Sequence, residues 1–308
     1  MAARSFLSVR ELSPAALVAL TTRAVDIADA PTDIPAALDG SIVATFFEQT
    51  STRTRTAFSV AALRLGAELV NYGPESLQLN TGETLGDTAR ILGMMLDGVV
   101  IRTRRTLADL TEMLDNGGPP LINAMAREEH PTQAICDLST VLRHHGALDG
   151  ISMLYVGEGN NSASALAYAL ARVPNATLTL YVPHGYGLDN ETLARAAMDA
   201  RPNGATIRQV EQAVDLPDDV QVVYTTRWQT TGTTKPDSSW RELFRPYHVD
   251  TAFLDRWPDA VFMHDLPAHR GDEVSGEVLE GKRSLVWRQA QMKLFSAMSI
   301  VETFWRRQ

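Results

Sequence analysis

The sequence predicts an α/β fold of two doubly wound parallel-sheet domains, and three observations carry that prediction. Strand-like apolar runs alternate with helix-like segments through both halves of the chain. That alternation is the pattern of a parallel sheet covered by helices on both faces. The alternation starts afresh in mid-chain, after the segment His144–Gly150, which reads as a hinge. At 308 residues there is room for two cores of about 150 residues each. The expected division is 1–145 and 146–284, linked by interdomain helices, with the final helix, 285–308, packing back on the first domain.

Taken in order, Ser41–Phe47 reads as a buried strand. Thr54–Leu65 follows as a helix with Ala57, Phe58, Ala61, Ala62 and Leu65 on one face, the 3.6-residue spacing of an amphipathic helix. Gly98–Ile101 is a short strand, His130–Arg143 the helix that closes the first half. In the second half, strand Ser152–Gly157 leads into a small-residue helix, Asn161–Arg172, then strand Ala176–Val182 and helix Asn190–Arg201. Strands Gln221–Thr225 and Ala260–Met263 continue the pattern. The last helix, Leu285–Trp305, is long enough to need an apolar partner. Gln229–Ser239, rich in Thr and Ser with Gly232 and Pro236, is a polar loop by composition. No internal repeat or low-complexity tract is present.

Composition narrows the function. With 44% apolar and 21% charged residues, and no run approaching the roughly 20 apolar residues of a membrane helix, no membrane role is expected. Glu11 interrupts what would be the apolar part of an export signal. A single cysteine, Cys136, excludes an internal disulfide and a thiolate metal cluster, which fits the cytoplasm. A net charge of −9 argues against nucleic acid, whose phosphates need a broad basic field. Arginines clustered locally in such an acidic chain suit one small anion in a pocket.

The most informative segment is Phe47-Glu48-Gln49-Thr50-Ser51-Thr52-Arg53-Thr54-Arg55, where a strand ends and a helix begins. Helix N-termini present unpaired N–H groups and a positive dipole end, so phosphate is accepted there readily. Ser51 is the expected N-cap, hydroxyls of Ser51, Thr52 and Thr54 add donors, and Arg53 and Arg55 supply planar forks. No Gly-Lys-Ser/Thr loop is present, so this is not a nucleoside triphosphate cradle. Taken alone, the segment reads equally as a capped helix with solvated arginines. Val99-Val100-Ile101-Arg102 puts a second cation at a strand's carboxyl edge, where open α/β sheets bind ligands. His130-Pro131-Thr132-Gln133 starts a helix near the same edge; by itself, His130 is more often structural than catalytic.

Together, Ser51-Thr52-Arg53-Thr54-Arg55, Arg102 and His130-Pro131-Thr132-Gln133 resemble, in spacing and order, the carbamoyl-phosphate motifs of the aspartate/ornithine carbamoyltransferase family. The resemblance runs from Phe6-Leu7-Ser8 to the final helix. It implies a carbamoyl-phosphate domain followed by an acceptor domain, and transfer of a carbamoyl group to an amine of a small amino-acid-like acceptor. Ser51, Thr52, Arg53, Thr54 and Arg102 would bind phosphate, and His130 and Gln133 the carbamoyl group. Such a reaction places negative charge on the carbonyl oxygen, and fixed donors stabilise it. Thr54, Arg102 and His130 are therefore the catalytic candidates. Departing phosphate can take the amine proton, so neither metal nor organic cofactor is expected. Leu77-Gln78-Leu79-Asn80-Thr81-Gly82-Glu83-Thr84 corresponds to the loop that, in this family, completes the next subunit's site in a trimer. A homotrimer with Gln78 as a phosphate contact is implied; as plain sequence, the segment is a surface turn before a helix.

On the acceptor side, Met263-His264-Asp265-Leu266-Pro267 resembles the ornithine enzymes' histidine-cysteine-leucine-proline turn, with Asp265 in the cysteine position. The Leu266 carbonyl would contact the carbamoyl nitrogen, and Asp265 would orient an acceptor ammonium. Gly157-Glu158-Gly159-Asn160-Asn161-Ser162 matches a glycine-aspartate-glycine-asparagine-asparagine segment, giving Asn161, or else Asn160, the acceptor carboxylate. A dinucleotide fingerprint is the rival reading of Gly157-x-Gly159. Ser162 replaces the third glycine, and the strand ending Leu180-Tyr181-Val182 lacks the acidic residue for a ribose. The clearest departure is Tyr224-Thr225-Thr226-Arg227-Trp228-Gln229-Thr230-Thr231-Gly232. Thr226 stands where ornithine enzymes have aspartate, and Thr230-Thr231-Gly232 replaces their serine-methionine-glycine. Arg227 and Gln229 instead resemble the aspartate enzymes' arginine-x-glutamine. The expected acceptor is thus not ornithine but an acidic or short amino acid, aspartate or a diaminopropionate-like amine. An inactive binding protein of the same fold is the alternative in another class.

Overall fold

A computed structural model describes residues 4–229, 234–235 and 239–306. Two units are formed, Met1–Ser139 with Gln291–Gln308, and Thr140–Ala290.

In the first unit α1 (Pro14–Asp29) opens on Ser13, whose hydroxyl accepts from Ala16 N–H, with proline in the first turn. Then follow β1 (Ile42–Phe47), α2 (Arg53–Arg64), β2 (Glu68–Tyr72), α3 (Leu85–Met95), β3 (Gly98–Arg102), α4 (Leu107–Asp115), β4 (Leu121–Asn123) and α5 (Pro131–His145). The sheet has the order β2-β1-β3-β4, and its pairings are parallel. Both β1 and β3 are nearly continuous apolar runs, because helices cover both faces of such a sheet. Phe46, Ala44, Val99 and Ile101 pack with Ala89, Leu92, Leu110 and Met113 from α3 and α4.

In the second unit β5 (Ser152–Val156), α6 (Asn161–Leu170), β6 (Thr177–Tyr181), α7 (Asn190–Ala200), β7 (Thr206–Val210) and β8 (Val222–Thr225) are followed by α8 (Trp240–Phe244), α9 (Thr251–Leu254), β9 (Val261–His264), α10 (Gly276–Leu279) and α11 (Val286–Trp305). The parallel order is β7-β6-β5-β8-β9. Helix α6 is buried from Ser162 to Leu170, which its alanines and serines permit. Its small side chains let the backbone approach the sheet closely.

Several local expectations need correction. Strand β3 runs through Arg102, paired with Phe47, so the cation is the last residue of a buried strand rather than the first beyond it. Helix α2 begins at Arg53 with Thr52 at its cap position and no side-chain cap bond; Ser51 is not the cap. Helix α5 continues through His144 and His145, and the chain turns only at Gly146, with φ of 80°. Edge strands β2 and β7 are half-exposed and polar and β4 is only 3 residues long, so their sequence signals are weak.

Helix α11 passes into the first unit at Gln291. There Ser299 Oγ donates to the Leu20 carbonyl at 2.8 Å, and Phe304 stacks on Phe6 with centroids 5.2 Å apart. Trp305 donates to the Arg4 carbonyl at 3.1 Å. Its ring requires glycine at position 98, where a Cβ would come within 2.5 Å. Among the described residues no helix is long and apolar enough to cross a membrane.

Candidate active site

Strand order locates the chemistry. In each sheet the chain winds outward in both directions from one adjacent pair, β1 and β3 in the first unit, β5 and β8 in the second. Connections leave that pair on opposite faces and open a crevice at the strands' carboxyl ends. Of the sequence-predicted residues, Ser51–Thr54 and Arg102 lie at the ends of β1 and β3, and Asn161, Arg227 and Gln229 follow β5 and β8, whereas His130 and Gln133 follow β4, and Asp265 and Leu266 follow β9.

In the first unit the loop after β1 carries Ser51 and Thr52, and the first turn of α2 carries Arg53 and Thr54; Thr54 is buried and Thr52 exposed. Glu48 N–H donates to the Arg102 carbonyl at 2.9 Å, and the Glu48 carboxylate accepts from the Thr103 hydroxyl at 2.5 Å and from Arg105 Nε at 3.2 Å. The loop after β1 is therefore tied to the end of β3. Arg102 is 9% exposed, His130 4% and Gln133 2%. His130 Nδ1 lies 3.3 Å from the Thr132 hydroxyl. Burial, then the charges of Lys293 and Arg102, hold its imidazole well below the usual histidine range. His130 is thus neutral at physiological pH, a hydrogen-bonding group rather than a cation. Gln133 Nε2 donates to Asp137 Oδ1 at 2.7 Å, and its Oε1 accepts from the Lys293 ammonium.

Lys293 escaped the sequence reading. It lies in α11, 160 residues beyond Gln133, and no local motif surrounds it. A lysine on the inward face of a helix, between Met292 and Phe295, both buried, is the signal that marks it, because an ammonium is seldom buried without an anionic task. Gln78 stands apart in a 3-10 turn, Gln78–Thr81, exposed and accepting the Thr81 hydroxyl at 2.6 Å.

In the second unit the ends of β5, β8 and β9 are joined by polar contacts. Asn160 caps α6, its Oδ1 accepting from Ser162 and Ala163 N–H. Its amide donates to Thr226 Oγ1 at 3.3 Å, and the Thr226 hydroxyl donates to Asp265 Oδ1 at 3.0 Å. Asn160 is thus engaged in capping, while Asn161 is the first residue of α6 and half-buried. The Asp265 side chain is 15% exposed. Leu266 has φ of 56°, a conformation that costs a branched residue about 1–2 kcal/mol. Its N–H donates to His264 Nδ1 at 2.8 Å. Since Nδ1 accepts, His264 carries a proton on Nε2, which faces Glu273 Oε1 at 3.2 Å. Glu273, fully buried, is a second residue that sequence reasoning missed. Arg227 and Gln229 are half-buried, and Arg227 Nε donates to the Gln229 carbonyl at 2.6 Å, a bond within its own loop. Thr230, Thr231 and Gly232 lie outside the described residues.

These two polar clusters suit two different ligands. The first unit offers buried cations and a neutral imidazole to a dianion with a carbonyl. The second offers a carboxylate and an amide to a zwitterion.

The comparisons agree with that division. Residues 4–143 match the carbamoyl-P binding domain of the aspartate/ornithine carbamoyltransferases, and residues 149–304 match the Asp/Orn binding domain. An ornithine carbamoyltransferase of Gloeobacter violaceus is 34% identical over 96% of this chain and 93% of its own. That of Symbiobacterium thermophilum is 37% identical over 86% of this chain and 85% of its own. The solved ornithine carbamoyltransferase of Pyrococcus furiosus superposes with a TM-score of 0.90 at 30% identity, covering 97% of this chain and 96% of that one. The loops at the two strand switch points, together with these matches over both domains, make this chain a member of the aspartate/ornithine carbamoyltransferase family and an enzyme of carbamoyl transfer.

Proposed function

We propose that the enzyme carbamoylates the side-chain amine of a diamino acid shorter than ornithine. The single observation that carries this reading is the hydrogen bond from Thr226 to Asp265. Ornithine enzymes carry an aspartate at the position of Thr226, at the end of β8. Here the carboxylate stands at the end of β9, with the threonine hydroxyl pointing at it. Neighbouring strands are about 4.8 Å apart, so the anion that receives the α-ammonium has moved by that distance, to the residue next to Leu266. An acceptor with fewer methylenes spans the shorter path, and 2,3-diaminopropionate or 2,4-diaminobutyrate fits it. Asn161 binds its carboxylate.

In the carbamoyl-phosphate half, Ser51, Thr52, Arg53, Thr54 and Arg102 hold the phosphate and His130 and Gln133 the carbamoyl group. The Lys293 ammonium on Gln133 Oε1 fixes that amide's orientation, leaving Nε2 as its donor. With Thr132 donating to Nδ1, His130 keeps its proton on Nε2 and offers it to the carbonyl oxygen as negative charge develops there. The amine lone pair attacks the carbamoyl carbon, the bond to the phosphate oxygen breaks, and phosphate leaves with the amine proton. The Leu266 carbonyl accepts from the carbamoyl nitrogen.

The test measures phosphate release and kcat/KM for 2,3-diaminopropionate, 2,4-diaminobutyrate, ornithine, aspartate and putrescine. Ornithine as the best acceptor would refute the shortened path. Aspartate as the best would favour the second reading, an acidic acceptor held by Arg227 and Gln229, and Arg227→Ala would then abolish the preference. No turnover with any amine would leave an inactive binding protein.

The family resemblance around Gln78 supports a homotrimer with shared sites. Mixing inactive Arg53→Ala and Gln78→Ala subunits should restore activity, since a hybrid interface contains one intact site. A monomer by light scattering, or no recovery after verified subunit exchange, would count against it.

A further inference from the structure

Lys235 lies in a stretch whose composition suggests a solvated loop, yet its side chain is only 3% exposed. Its ammonium is 2.5 Å from Glu158 Oε1. It lies 4.2 Å from the ring centroid of Tyr186, 4.6 Å from that of Phe244 and 5.3 Å from that of Trp240. A buried ammonium is costly unless paired. Here one carboxylate and three aromatic faces replace its water. Burial pushes the lysine below its usual range, while the bond to Glu158 and its charge pull the other way.

The cage is closely packed on its described sides. Trp228, Trp240 and Phe244 form a buried cluster on which Tyr186 packs, with Trp240 and Phe244 edge to face at 5.6 Å. Gly159 N–H donates to the Tyr186 carbonyl at 2.7 Å, and a Cβ at Gly159 would come 2.4 Å from the backbone of Gly187. Glu158 itself is clamped, its carbonyl accepting from Tyr155 Oη at 2.8 Å. The cage thus joins the turn after β5 to the segment leaving β8, and its members alternate with the acceptor candidates. Glu158 is three residues from Asn161, and Trp228 lies between Arg227 and Gln229.

We infer that Lys235 and Glu158 are positioning residues for the acceptor: their caged ion pair fixes the turn after β5 against the Trp228–Phe244 aromatic cluster and so sets the geometry in which Asn161 and Thr226 meet the amino acid. Neither side chain touches substrate. The inference rests on the acceptor reading for the residues it positions, but not on which amine is used.

The experiment uses the full-length enzyme with whichever amine gives the highest kcat/KM. In Lys235→Met, which keeps the aliphatic stem and loses the charge, the acceptor KM should rise about tenfold or more, the size of one buried charge-assisted contact. The carbamoyl-phosphate KM and kcat should stay within about twofold of the parent. Glu158→Gln should give the same split, and the double variant should be no worse than either single one, because both remove one interaction. Lys235→Arg, which keeps a cation for the cage, should recover most of the loss. Were the acceptor KM to stay within twofold in Lys235→Met, the pair would be packing only. A joint rise of both KM values, or a lowered melting temperature without the split, would likewise overturn the positioning role. An enzyme that carbamoylates none of the amines refutes the proposed reaction instead, and the two failures are thereby distinguished.

Discussion

The two candidate clusters, one in each unit, are built on the same principle and differ in how far they keep the sequence pattern. The first unit brings Arg53 and Thr54 on α2, Arg102 at the end of β3, and His130 and Gln133 at the entry to α5 to the carboxyl ends of its strands, while Gln78 stands apart. Arg102 and Lys293 are buried while Arg53 is half-buried, and burial with the two buried cations holds His130 well below the usual histidine range. The acceptor half keeps the scaffold and exchanges the charges. Thr226 stands where the related ornithine enzymes have a carboxylate, Asp265 lies one strand over within 3.0 Å of it, and a caged lysine neutralises Glu158. On the acceptor reading proposed above, one anion displaced along the sheet edge would shift specificity while fold and chemistry persist.

The largest effect should follow from damage to the first half. Arg102→Ala or Arg53→Ala should lower kcat/KM by about 10²–10³-fold or more with every amine, since a fixed donor to the developing charge is lost, while circular dichroism stays that of the parent. Near-normal kcat/KM in either variant would end the phosphate assignment.

Next in size is Lys293→Met, which removes a cation buried against Gln133. We expect a loss of roughly 10–100-fold, seen mainly in the carbamoyl-phosphate KM, because charge-assisted contacts contribute about 1.5–3 kcal/mol. An acceptor KM that changes instead would move Lys293 to the other half.

Asp265→Asn sharpens the contrast from the opposite side. The acceptor KM should rise by about tenfold or more for amines with an α-ammonium, and hardly at all for putrescine, with carbamoyl-phosphate KM unaltered. Equal effects on both substrates would show that Asp265 only supports the Leu266 turn.

The smallest effect concerns pH. An unfolded chain takes up a proton at its histidines near pH 6.5, whereas folded His130 resists it well below that value. The stability associated with neutral His130 is therefore complete above pH 6.5 and is lost as the pH falls from there toward the depressed folded value. The contribution approaches about 1.4 kcal/mol per pH unit in that window. His130→Gln should lower the slope of melting temperature against pH between 7.5 and 5.5. Parallel slopes would mean that His130 is protonated in the folded state.

The two-domain α/β plan was legible because alternating apolar strands and amphipathic helices are local patterns. Ser51–Arg55, Arg102 and His130–Gln133 were likewise marked as candidates by contiguous motifs. What stayed hidden lies in pairings that no local pattern records. Edge strands β2 and β7 have a polar face and become strands only when β1 and β6 offer a ladder. Ser51 has the right chemistry for a cap, but the turn before α2 puts Thr52 at that position, helical and without a cap bond.

By itself the sequence determined the fold class and the reaction type, because each depends on patterns of residues close together in the chain. Tertiary structure alone decided that Lys293 reaches Gln133, that Thr226 donates to Asp265 and that Lys235 lies in an aromatic cage rather than in solvent. Those facts depend on which strand ends and helix faces are packed side by side. A side chain's partners are set by its neighbours in space, and for a charged group those partners decide whether burial is tolerated at all.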